Sequence, residues 1–143
     1  MKRIVSILIA IMLFSSPAFG LVSTKEIFKR IIFTADKLEN MGSQILFSQL
    51  DNIDRDSVDT QTYPLKSGNS YIIIALGDDE RVQDIDLEVL DENNNVVGRD
   101  ADGENIAIVE VRPKWSGIFK IRVSGYEMSS SDAFYGIIIA RTN

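Results

Sequence analysis

Two residue types are missing from this chain of 143 residues: it contains no cysteine and no histidine. Without them there is no Ser-His-Asp triad, no cysteine nucleophile, and no zinc or haem held by thiolate or imidazole. The lack of cysteine also removes disulfide staples and any lipoprotein attachment site, so core burial alone must hold the fold. P-loop, G-x-S-x-G and S-x-x-K patterns are absent too, which takes away the common nucleotide and nucleophilic-serine readings. Positive charge is scarce, with 15 Lys and Arg against 21 Asp and Glu for a formal net charge of -6. An acidic chain of this kind is a poor nucleic-acid binder.

Long apolar runs are also few. The one at the start, Ile4 to Phe14, comes after Lys2 and Arg3 and precedes a small-residue site at Ala18 and Gly20. It falls well short of the ~20 residues a spanning helix needs, so residues 1–20 read as a secretory signal peptide cleaved after Gly20. Removing it takes Lys2 and Arg3 away and moves the net charge from -6 to -8. The expected destination is the bacterial periplasm or the cell exterior, with no membrane span after cleavage.

The segment beyond Gly20 is expected to open with a helix. Ser23 and Glu26 have the spacing of a capping box. Ile27, Phe28, Ile31, Ile32, Ala35 and Leu38 recur at helical spacing, and Gly42 is placed to end the element. The polar face mixes both charge signs, which favours docking on the parent domain over contact with a membrane surface. Ile45 to Leu50 is too short for its periodicity to distinguish helix from strand. Asp51, Asp54, Asp56 and Asp59 read as a solvated connection, giving a helix and acidic linker over residues 21–57.

From residue 58 to the end the pattern is that of strands separated by turns. Ile85, Leu87 and Val89 alternate with Asp84, Asp86 and Glu88, and Phe119, Ile121 and Val123 alternate with Lys120, Arg122 and Ser124. Alternation puts one set on a core and the other in water. Pro64 confines its strand to a sheet edge, and the uninterrupted apolar run Tyr71 to Leu76 implies cover on both faces. The asparagines after Asp91 suit a tight hairpin turn. About seven short strands at roughly ten-residue intervals predict an antiparallel β-sandwich or jelly roll over residues 58–143, with the amphipathic helix at its N-terminus. The excess of outward apolar positions, Ile106, Ile108 and Ile138 among them, predicts that the helix covers one sheet. Ile72, Ile74 and Leu76 are expected on the interior face, with Tyr71 and Ile73 outside.

Asp84-Ile-Asp86-Leu87, Asp91 with its asparagine turn, Val111-Arg-Pro113, Ser116-Gly117-Ile-Phe119 and Tyr135-Gly-Ile-Ile-Ile139 together resemble the bacterial pre-peptidase C-terminal domain. The similarity runs from about Val58 to Ala140. It implies a small β-sandwich acting as a non-catalytic accessory module of secreted proteins, some of which bind calcium or matrix proteins. Phe119 stands where that family has an aromatic of G-x-Y type.

Two acidic stretches have part of a calcium-loop spacing. Asp100-Ala-Asp102-Gly103 fails the EF-hand register at Gly98 and Val109, and Asp91-Glu-Asn93 fails it at Val96. Asp100, Asp102 and Glu104, or Asp78, Asp79 and Asp84, remain candidate ligands for a calcium site of another kind. The competing reading is solubility and edge protection. Trp115 and Tyr126 are candidate stacking residues for a sugar or peptide, against an ordinary role capping the core. The resulting expectation is a monomeric, non-catalytic binding or structural module, without a cofactor unless it be calcium. Its partner is an envelope or extracellular protein or glycan. Alternatives are a calcium-dependent adhesion or matrix-binding domain and, further off, a small hydrolase using paired carboxylates.

Overall fold

The computed structural model describes residues 24–142; the signal peptide expected over residues 1–20, the cleavage expected before Leu21 and the expected cap Ser23 lie outside the described residues. Helix α1 spans Lys25–Asn40 with Thr24 as its N-cap, and Glu26 pairs with Lys29 one turn on. Its end is a glycine-terminated motif: Gly42, at φ 88°, donates to the Glu39 carbonyl while Ser43 donates to that of Leu38. Only glycine enters that left-handed conformation without a Cβ penalty, which is why the helix stops there.

Eight strands come after the helix: β1 (Gln44–Asp54), β2 (Val58–Leu65), β3 (Ser70–Gly77), β4 (Val82–Leu90), β5 (Val96–Asp100), β6 (Ile106–Val111), β7 (Gly117–Met128) and β8 (Asp132–Thr142). They form two antiparallel four-stranded sheets with the orders β1-β8-β3-β6 and β2-β7-β4-β5. That order is a jelly roll, one of the two forms expected. Pro64 does lie on an edge strand, β2.

The additional strand is β1, which pairs with β8 along its length, so residues 44–57 are not a linker and the sandwich begins ahead of residue 58. A bulge between Ile45 and Phe47 breaks the alternation that would have marked it. Its acids misled for another reason, since charged side chains are a common guard on an exposed sheet edge. Asp51 and Asp54 lie on this edge strand and Asp59 on edge strand β2; only Asp56, at φ 62°, belongs to the turn between them.

Between the sheets lies the main core, containing Ile85, Leu87, Val89, Phe119, Ile121 and Val123 as alternation predicts. The phase of β3 is the reverse of that expected. Tyr71, Ile73 and Ala75 enter the main core, whereas Ile74 and Leu76 join Ile138 and Ala140 beneath the helix, with Ile72 at the margin. A run apolar at every position carries no phase, so only pairing with β6 and β8 decides it. Helix α1 docks on the outer face of its sheet as expected, burying Ile27, Ile31 and Leu38. Phe28 and Ile32 from the anticipated stripe remain more than half exposed.

Candidate functional site

The opening of the sandwich between the β4–β5 hairpin and the β6–β7 corner holds a recess of about 380 Å³. It is lined by the buried apolar residues Val111, Pro113 and Phe119, and by the exposed residues Val97, Arg112, Lys114 and Trp115. The hairpin side is organised by Asp91. This buried carboxylate accepts bonds from the Asn93 and Asn95 amides at 2.8 and 2.9 Å and from the Asn95 side chain at 2.9 Å. The Asn95 side-chain bond, above all, holds the Asp91 carboxyl below the usual carboxylate range. Asn94 takes φ 64°, the left-handed turn conformation that asparagine tolerates. On the corner side, Ser116 accepts a bond from the Ser67 amide at 2.9 Å, tying the corner to the β2–β3 turn.

Trp115 is 40% exposed, so its indole is partly available at the recess. Arg112 and Lys114, which line the same recess, make no ion pair or side-chain hydrogen bond among the described residues. Glu92 approaches the same corner, 3.6 Å from where a Cβ on Gly117 would lie. The site therefore offers an aromatic face, an apolar lining and two uncommitted cations in a chain that is acidic overall. Trp115 was legible as the only tryptophan; its two basic neighbours were not singled out, although the Arg112-Pro-Lys-Trp115 string carries the signal.

Tyr126 does not join this site. It is 78% exposed near the far end of β7, whose first residue, Gly117, adjoins the Trp115 corner. The acidic candidates are divided as well. Asp100 accepts the Ile108 amide at 2.8 Å, closing an outward N–H of edge strand β6. Asp102 accepts the Glu104 amide at 3.1 Å, and the Glu104 carbonyl accepts the Ile85 amide at 2.9 Å. Asp79 is bound by Asn105 at 2.7 Å and by Arg30, which also donates to the Gly77 carbonyl. Asp78, buried, accepts the Glu80 amide and shapes the β3–β4 turn. Among the described residues no three acidic side chains converge as a ready-made metal ligand set.

Asp84 departs from its expected place. Irregular pairing with β7 on both sides of it forms a bulge, and the side chain that alternation puts in water is 8% exposed. Burial first, then the charges of Asp86, Asp102 and Glu127, push its carboxyl above the ordinary range. On the wet face of the same strand, Glu88 pairs with Arg122 at 3.2 Å and Arg99 at 3.6 Å.

No protein-family model and no curated protein matches the chain. Among solved structures it is similar to that of Aeromonas hydrophila PliG, a periplasmic lysozyme inhibitor of g-type lysozyme, with a TM-score of 0.50. Identity is 15%, covering 71% of this chain and 90% of that one. The likeness is one of fold. No helix among the described residues is long and apolar enough to cross a membrane, a statement that leaves β-barrels aside.

Proposed function

We propose that the protein is an exported, non-catalytic module that binds a protein partner through the recess beside Trp115. The observation that carries this reading is the pair of uncommitted cations, Arg112 and Lys114, lining the same recess as a partly exposed indole and a set of apolar side chains. Exposed Trp and Arg are the side chains that most often anchor protein interfaces, and unpaired cations attract a partner surface of opposite sign. The partner chemistry that fits is a protein presenting an apolar side chain next to a carboxylate.

The likeness to a lysozyme inhibitor supports a binding role carried on this architecture, and a g-type lysozyme is the first partner to test. The resemblance to the pre-peptidase C-terminal domain implies the same class of role, an accessory module with no chemistry of its own. Binding of the processed protein to a g-type lysozyme is measured by surface plasmon resonance, alongside lysis of a peptidoglycan suspension. Expected are saturable binding and slowed lysis, with affinity reduced about thirtyfold in Trp115→Ala, an anchor loss of about 2 kcal/mol. Lys114→Glu is expected to weaken binding and to reduce its salt dependence. Lysis unaffected at micromolar protein excludes this enzyme as the partner; full binding by Trp115→Ala and Lys114→Glu excludes the recess.

A further inference from the structure

The opposite end of β4 from the Trp115 recess holds a carboxylate with no visible reason to be buried. Asp84 is 92% shielded from solvent, and its Oδ1 is fully buried with no hydrogen-bond partner among the described residues. Native proteins rarely leave such an atom alone, because an unpaired buried charge keeps its desolvation cost without compensation. Its electrostatic surroundings make matters worse. The charged groups acting on it are Asp86 on its own strand, Asp102 on the β5–β6 loop and Glu127 on β7, all acidic, with no basic side chain among them. The loop passes close above the carboxylate: a Cβ on Gly103 would begin 4.0 Å from Asp84 Oδ2. The Glu104 carbonyl bonds the Ile85 amide at 2.9 Å and fixes the loop over the bulge.

We propose that Asp84 and Asp102, completed by main-chain oxygens of the β5–β6 loop and by water, bind a hard divalent cation, with Ca²⁺ as the ion that fits. A cation supplies what the orphaned oxygen lacks and offsets the mutual repulsion of the acids around it. The donor set favours Ca²⁺ over Mg²⁺. Calcium accepts six to eight mixed carboxylate, carbonyl and water oxygens in loose geometry, whereas Mg²⁺ demands a near-ideal octahedron. The pairing crosses two groups of acids that are separate in sequence. Asp100 is committed to the Ile108 amide and Asp79 to Arg30 and Asn105; Asp102, next to the Gly103 that lies over Asp84, gives one oxygen to the Glu104 amide.

The test is isothermal titration of the whole processed protein with CaCl2 after chelation, paired with thermal melts. Expected is saturable binding of a single Ca²⁺ with Kd on the order of 10⁻⁴ to 10⁻³ M, the range of extracellular calcium modules. Melting temperature should rise by several degrees at about 10 mM Ca²⁺, following the logarithm of [Ca²⁺]/Kd. Asp84→Asn should abolish both effects, and Asp102→Asn, on the exposed loop, should weaken binding at least about tenfold. Asp79→Asn should leave binding unchanged. Absence of saturable heat to about 10 mM, or binding in Asp102→Asn equal to that of the unmodified protein, overturns the site. The loop variant decides the matter even if Asp84→Asn fails to fold.

Discussion

Asp84 and Asp91 sit at the two ends of one strand and illustrate how environment divides chemically identical groups. Asp91 finds three donors in its own turn and is held ionised, with its pKa below the ordinary 3.8. A lowered value means that its contribution to stability is present above the ordinary value and disappears as pH falls through the folded one. Asp91→Ala should therefore lower the melting temperature at neutral pH, with the gap to the parent narrowing only below the usual aspartate range. Asp84, raised by burial and then by its acidic neighbours, has the opposite sign. The folded chain holds the Asp84 proton more tightly than the unfolded chain, so stability is full below pH 3.8 and is lost as pH rises through the folded value. In chelator at pH 7, an Asp84→Asn variant that folds should be more stable than the parent, because it removes a buried charge held among Asp86, Asp102 and Glu127. Urea unfolding at pH 4 and pH 7 measures the difference, which should shrink at the lower pH. Sequence places Asp91 at a turn and Asp84 among the acids that could hold calcium, but the burial of neither was visible there. Alternation puts Asp84 in water, and a bulge, which depends on the partner strand, turns it inward.

The helix shows what an element can and cannot announce about itself. Its existence, its glycine stop and its place on an outer sheet face are legible from spacing and from the surplus of apolar positions elsewhere. The contact that seats it is not, because it is a packing of Ile31 against bare backbone. A Cβ on Gly136 in β8 would lie 2.4 Å from Ile31 Cγ1, so glycine is the residue that lets the helix approach. Gly136→Val should cost about 1–3 kcal/mol through overpacking and loosen the helix, seen as a lower melting temperature and increased binding of a hydrophobic dye. Arg30 fastens the other flank to the Gly77 carbonyl, Asp79 and Asn105, bridging the β3–β4 and β5–β6 loops. The same limit applies to β3, where six successive apolar residues state that both faces are covered without stating which face is which.

For the molecule as a whole, the two-sheet class was legible because each half-buried strand repeats the same alternation, but the strand order rests on contacts between distant segments that no local pattern encodes. The recess is of that kind, since its walls come from a hairpin and a corner that meet only in the closed sandwich. Deletion of residues 21–43 stops short of β1, preserving both sheets while uncovering Ile74, Leu76, Ile138 and Ala140. The shortened domain should remain folded but self-associate and bind dye, as size-exclusion chromatography would show; a monomer of unchanged stability would mean that the helix contributes nothing to its own sheet. The order of the sheets also sets a timetable. β8, the last eleven residues of the described chain, lies between β1 and β3. A polypeptide still missing that segment has its first and third strands unjoined, so closure of this sheet waits for β8. This sheet is therefore sealed by its last strand, through contacts between segments far apart in sequence.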